Sequence, residues 1–448
     1  MRNNIVKLLI LSSLIITSCS KELNTKPTTA ISEAEALKTS SDVNAALVGA
    51  YTDFGASYFF GGRIFLEADL LGDNNEIDWE GTYQQLTQMH NKAIPVENTF
   101  VANSWLAGYT AINDANNVLS AVSIVDTTAR DRVQGEAKFL RSASFFELVK
   151  MYAKDWNDGN PANNPGVPLV LTPTREITSE SQVKRNTVAE VYQQVITDLT
   201  DAEAKLPAAN GFFATKGAAA AMLARVYLQQ GDYNNALLAA DRSIKESVTV
   251  DGNPVELAGT FAAAFGEKNT PEDIFAVQVT NSSGIQGFNE FYSSAQRGDV
   301  LILDTHLNMY QPNDDRKNLF YTLSGSTYSG KFEQLYGNVH TIRLAEMLLV
   351  RAECNFRLGS SVGDSPLNDI NKIRTRAKLT PLSEGQLTLN EILKERRLEL
   401  AFEGFRLDDV KRLKENVGNL PWNSPKLIFP IPAREIRANP NLTQNEGY

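Results

Sequence analysis

Apolar residues recur with a helical period over most of the chain. Trp105, Tyr109, Ile112, Ala115, Asn116 and Leu119 fall at i, i+4, i+7, i+10, i+11 and i+14, which is one stripe along a helix. That spacing places Trp105 and Tyr109 in a core. Ala137, Leu140, Arg141, Ser144, Phe145 and Leu148 share a face of a second helix, over about 130–152. Ala45, Val48, Gly49 and Thr52 mark the stripe of an earlier one. Ser32, ahead of Glu33 and Glu35, is the N-cap at which the periodic sequence begins.

The strongest repeat signal lies in 218–244. Leu223-Ala224, Tyr227, Gly231-Asp232-Tyr233 and Ala236 follow the tetratricopeptide pattern. Ala224 and Ala236 are small where two helices meet, Tyr227 fills the space between them, and Gly231 permits the turn. Ala240 stands where that pattern has an aromatic. One such pair cannot bury its own face, so neighbouring pairs must stack on it. Segments 104–153 and 341–378 supply them, and a further helix covers 390–403. The expected fold is mainly α, a tetratricopeptide-like scaffold.

The period fails in two places, 54–98 and 248–335, both rich in Gly, Ser, Asn and aromatics. Long irregular insertions in a compact domain often carry function. Within the second, Ile274 to Val279 reads as a strand. Prolines 421, 425, 430, 432 and 440 make the last residues an extended wrap, with Trp422 docking it. At the other end, Arg2 and Lys7 precede the apolar runs Leu8–Leu11 and Leu14–Ile16, then Thr17-Ser18-Cys19. A basic segment, a short apolar run and small residues before a cysteine form a lipoprotein export signal. The expected organisation is a signal peptide over 1–18, a lipidated tether over 19–31 beginning at Cys19, and one domain over 32–448.

Charge and composition narrow the function. The net charge of −10 becomes −12 once Arg2 and Lys7 leave with the signal. An acidic body argues against nucleic acid. With Cys19 lipidated only Cys354 remains, so no intrachain disulfide is expected. His90, His306 and His340 are scattered and no Cys/His cluster has zinc spacing; no metal or cofactor is expected. Glu395, Glu399 and Glu403 recur every four residues. They could be read as the paired carboxylates of a glycosidase. Arg396, Arg397, Arg406 and Arg412 stand nearby, so an ion-paired structural helix is the better reading. The run Asp155 to Asn160 lacks the glutamate that closes an EF-hand. Arg297-Gly298-Asp299 spells an adhesion tripeptide by chance. No P-loop, nucleophile elbow or dinucleotide fingerprint is present.

Three blocks in the last third carry a resemblance to a known family. They are Ile342 to Glu353 with Leu367 to Ala377, Ile392 to Arg412, and Phe429-Pro430-Ile431-Pro432 through Asn439-Pro440 to Gly447-Tyr448. Upstream, Glu136 to Tyr152, Gly166 to Val170 and Asp314-Asp315-Arg316 fit the same pattern. Together they resemble the SusD/RagB outer-membrane lipoproteins of Bacteroidetes. The resemblance implies a surface-exposed, lipid-anchored protein of the outer membrane with no catalytic residues. Such a protein captures oligosaccharides and delivers them to a SusC-like TonB-dependent transporter. A peptide-capturing RagB-like role is the alternative; a surface glycoside hydrolase and a pure assembly scaffold are remoter ones.

Sugar rings stack their C–H faces on aromatic side chains while polar neighbours read the hydroxyls. Trp79 and Tyr83 lie in or beside the polar loop Gly72 to Gly81, with no periodic reason to be there. Phe288, Phe291, Tyr292 and Tyr328 lie in the second irregular region. These six are the candidate platform, with Asp73, Asn75 and Arg297 as polar contacts.

Overall fold

The structure, a computed structural model, describes residues 37–448. Cys19, Ser32 and the tether lie outside the described residues. In chain order the helices are α1 (Ser40–Phe54), α2 (Arg63–Gly72), α3 (Gln84–His90), α4 (Thr99–Ser120), α5 (Thr127–Tyr152), α6 (Val188–Lys205), α7 (Lys216–Gln230), α8 (Tyr233–Glu246), α9 (Gly287–Tyr292) and α10 (Asp304–Leu307). They continue with α11 (Leu344–Leu358), α12 (Pro366–Arg376), α13 (Leu389–Glu399), α14 (Arg406–Leu413) and α15 (Ala433–Ala438). Strands are β1 (Ile77–Trp79), β2 (Asp273–Val277), β3 (Val300–Ile302), β4 (Phe320–Leu323), β5 (Ser326–Ser329) and β6 (Val339–Arg343).

The scaffold is a procession of helices, each packed on the next: α1 on α4, then α5, α6, α7, α8 and α11, with α12 and α13 closing on α11. This is the tetratricopeptide-like stack that the sequence pattern implies. Its ends are set by local chemistry. Thr39, Thr187 and Thr388 cap α1, α6 and α13 by accepting backbone N–H groups. Ser365 does the same before Pro366 on α12. Gly231 ends α7 at φ 75°, a left-handed turn that an L side chain resists. Asp232 then caps α8 at once. Helix α5 runs through the middle and is buried on nearly every side, so it needs no polar face.

Two sequence expectations change. Helix α1 buries Val43, Leu47, Ala50 and Phe54, not the Ala45, Val48, Gly49 and Thr52 stripe. Val48 is 52% exposed. The rows run side by side, and only the first carries a Leu and a Phe to fill the gap against α4 and α5. Second, the chain from Val339 to Arg343 is a strand before α11 begins at Leu344. Strand β6 pairs antiparallel with β2, Val339 opposite Val277. The tertiary partner overrides the helical pattern there. Strand β2 itself matches the expected one.

Neither insertion is structureless. The first, 54–98, holds α2, β1 and α3; the second holds β2 to β5 and short helices. Strands β1 and β3 pair across more than two hundred residues, Ile77 opposite Ile302 and Trp79 opposite Val300. Strands β4 and β5 make a hairpin turned by Ser324 (φ 54°) and Gly325 (φ 91°), the two positive φ values of a type I′ turn. The C-terminal wrap is extended apart from short turns and α15. Phe429 N–H donates to Met151 O, and Asn445 Nδ2 donates to Tyr152 O. These groups tie the wrap to the end of α5; Trp422 is only half-buried, under the Lys414 ammonium.

Candidate ligand face

Four of the six candidate aromatics are core residues. Trp79 is 7% exposed, Phe288 4%, and Phe291 and Tyr292 are fully buried. The two insertions pack against each other, and these rings fill the seam. Trp79 lies 5.7 Å from Phe291, and its Nε1–H donates to Thr87 Oγ1 at 3.0 Å. A Cβ at Gly81 would strike the Trp79 ring and the Asp299 carboxylate, so the chain passes over the indole with no side chain. Phe288 stacks on Phe332 at 4.5 Å. Tyr292 donates its hydroxyl to Asp69 Oδ2 at 3.2 Å. Burial pushes the Asp69 carboxyl up to about 8. None of the four rings offers a face to solvent.

Tyr83 and Tyr328 stand differently. Tyr83 rests on the sealed cluster, 6.0 Å from Phe291, and is half-exposed. The exposed Arg297 guanidinium lies 4.4 Å from its ring centroid. Two groups fix that guanidinium: Nε donates to Asp299 Oδ2 at 2.7 Å and Nη2 to Thr82 Oγ1 at 3.1 Å. Burial raises the Asp299 carboxyl and the Arg297 charge opposes the rise. The Arg297-Gly298-Asp299 tripeptide is thus folded onto itself. Gly298 (φ 56°) carries the surface onward, because a Cβ there would sit 3.1 Å from the Tyr328 ring. Tyr328 lies directly across the hairpin from Tyr321, the rings stacked at 5.6 Å and 26°. The Tyr321 hydroxyl lies 2.6 Å from Glu333 Oε1 and 2.9 Å from Ser294 Oγ. Burial and the Glu333 carboxylate both raise its pKa, so it stays a phenol.

The result is a continuous surface of Tyr83, Arg297, Tyr328 and Tyr321 on three separate chain segments. Among the described residues no protein group bonds the Tyr83 or Tyr328 hydroxyl. Such a surface can stack a pyranose and bond its hydroxyls with little reorganisation. Sequence reasoning missed Tyr321, Thr82 and Asp299. The Ser324-Gly325 pair was a usable hairpin signal for the first of these.

The polar candidates divide as well. Asp73 is buried and accepts the N–H groups of Asn75, Glu76 and Ile77, so it builds its own turn. Asn75 is exposed at φ 63°. It belongs to a separate cleft, bonded to Thr305 Oγ1 at 3.2 Å.

The glutamate row is structural, with partners other than the adjacent arginines. Glu395 pairs with Arg374 and Arg316, Glu399 with Arg376 and Arg343, and Glu403 with Arg343 and Lys331. Neighbouring cations, Arg376 foremost, overcome burial and hold Glu399 at about 2. Arg396 and Arg412 go to Asp409, and Arg397 and Arg406 to Glu76. No group of three or more His, Cys, Asp or Glu side chains that could hold a metal ion occurs among the described residues. No helix there is long and apolar enough to cross a membrane.

Comparison with known proteins agrees with this architecture. A family described as starch-binding and associating with the outer membrane matches residues 25–228. The SusD family matches residues 308–425. A SusD-like protein of Formosa agariphila is 26% identical over an alignment covering 97% of this chain and 98% of that protein. The starch-binding protein SusD of Bacteroides thetaiotaomicron is 34% identical over 25% of this chain and 22% of its own length. Among solved structures, a SusD superfamily protein of Bacteroides thetaiotaomicron superposes with a TM-score of 0.81 at 24% identity, over 91% of this chain and 99% of that one. A laminarin-binding SusD-like protein does so at 0.72 and 22%, over 92% and 100%.

Proposed function

Because the chain belongs to the SusD/RagB family, we propose that it captures an oligosaccharide on the Tyr83–Arg297–Tyr328–Tyr321 surface and hands it, uncleaved, to a SusC-like TonB-dependent transporter. The observation that carries this reading is that surface itself. Tyr83, Tyr321 and Tyr328 stand half-exposed, the first beside a guanidinium already held in place by Asp299 and Thr82. The relatives named for starch and laminarin binding make glucans the first ligands to try. A binding role without cleavage is supported by the fate of the carboxylates: Glu395, Glu399 and Glu403 are all tied up in buried ion pairs. Anchoring through a lipid on Cys19, at the cell surface, completes the proposal.

Titration calorimetry with malto- and laminari-oligosaccharides tests capture, and chromatography of the same mixtures tests cleavage. Binding with no new products is the expected result. Released shorter sugars would demand a hydrolase. Binding of peptides in place of sugars would favour the RagB-like alternative.

A further inference from the structure

Beside this surface, at the other end of β1, lies a second opening of ≈ 530 Å³, within the range of about 300–1,000 Å³ typical of small-molecule sites. Its apolar wall is Ile77, Leu303, Val417 and Leu420. Its polar wall holds two carboxylates, Asp73 and Asp78, and two ammonium groups, Lys92 and Lys426, and they differ in how far their hydrogen bonds are used. Asp73 is used up by three backbone N–H groups, with His90 Nε2 3.5 Å from its Oδ2. Asp78 Oδ1 accepts the Trp79 N–H. The cations are less committed. Lys92 is half-buried and makes no ion pair among the described residues. Its Nζ donates once, to Leu70 O at the end of α2, at 3.1 Å. An ammonium has three donors, so capping that helix leaves two for the cleft. Burial depresses the Lys92 pKa, and the nearby Asp73 charge opposes the drop without overcoming it. Lys426 lines the same cleft, exposed. Lys92 sits at φ 53° because it ends α3: its N–H donates to Met89 O and the Ala93 N–H to Gln88 O.

We propose that this cleft receives an anionic sugar unit, its carboxylate or sulfate ester against Lys92 and Lys426 and its hydroxyls toward Asn75 and Asp78. The inference rests on the capture reading above and extends it. The cleft is lined by Ile77 and Asp78 of β1, and Tyr83 follows four residues after that strand; the proposal places both on one oligosaccharide.

The test uses the full chain and laminari- and malto-oligosaccharides, each with and without oxidation of C6 to the carboxylate. The oxidised form should bind at least tenfold tighter than its neutral parent, and the gap should close as salt rises. Lys92→Gln, which keeps a donor for Leu70 O, and the exposed Lys426→Gln should each erase most of the gap and leave the neutral sugar unaffected. Equal binding of the two forms, or a gap untouched in a folded Lys426→Gln variant, overturns the cleft assignment alone. Failure of both forms to bind overturns the capture reading with it.

Discussion

The two insertions supply two sets of aromatic rings that occupy opposite sides of the seam. Trp79, Phe288, Phe291 and Tyr292 point inward and lock the insertions together. Tyr83, Tyr321 and Tyr328 lie on the outside, and the first rests directly on the locked set. The open set is therefore presented by a rigid bed. An aromatic in an irregular loop is no sign of a ligand by itself; what distinguishes the two sets is the partner each ring already has. The sealed rings spend their polar atoms on Thr87 and Asp69, while the Tyr83 and Tyr328 hydroxyls bond no protein group among the described residues.

The contrast can be broken most forcefully at Phe291. Phe291→Ala should cost about 3–5 kcal/mol of stability, read as a fall in the denaturant midpoint, and should loosen Trp79 and Tyr83 together. A loss below about 1 kcal/mol would mean that the seam is not a core.

Asp69 comes next. Its folded pKa of about 8 stands above the usual value of 3.8. The folded state therefore holds a proton that the unfolded chain releases, and stability must fall as pH rises from about 4 to about 8. Asp69→Asn should remove that slope, a gain of a few kcal/mol at the alkaline end and none in acid, measured by urea titrations across the range. Glu399 has the opposite sign. Its carboxyl is depressed to about 2, so its contribution is present above about pH 4.5 and lost as pH falls through about 2.

On the open side, Tyr83→Ala with Tyr328→Ala should weaken oligosaccharide binding tenfold or more, a loss of about 1.4 kcal/mol or greater, with the unfolding midpoint nearly unchanged. Unaltered affinity would move the site elsewhere. Arg297→Met should have the smallest effect. It removes an exposed cation–π contact to Tyr83 of about 0.5–1 kcal/mol, read as a small fall in the unfolding midpoint, together with a few-fold loss of affinity from the missing guanidinium donors.

The frame was more legible than the site. Gly231-Asp232 announced the α7–α8 turn, and the stripe through Trp105 and Ile112 gave the core face of α4. Those signals are local, so sequence carries them. The α1 face was misplaced because two adjacent rows of mixed residues compete there, and only the position of α4 and α5 decides between them. Strand β6 merged with α11 because its partner β2 lies more than sixty residues away. The same non-local logic hid the fate of Trp79: its burial depends on β3 and Phe291, over two hundred residues downstream. The three glutamates of 395–403 were correctly read as ion-paired, yet their partners came from Arg316, Lys331, Arg343, Arg374 and Arg376, which only the fold brings together.

Half of the tyrosine surface rides on ten residues that turn through Ser324-Gly325 and lean on the body through β3. Such a flap can be lengthened, shortened or re-lettered without disturbing the helical procession behind it. On the capture reading, a new ligand needs only a new fingertip while the hand stays the same.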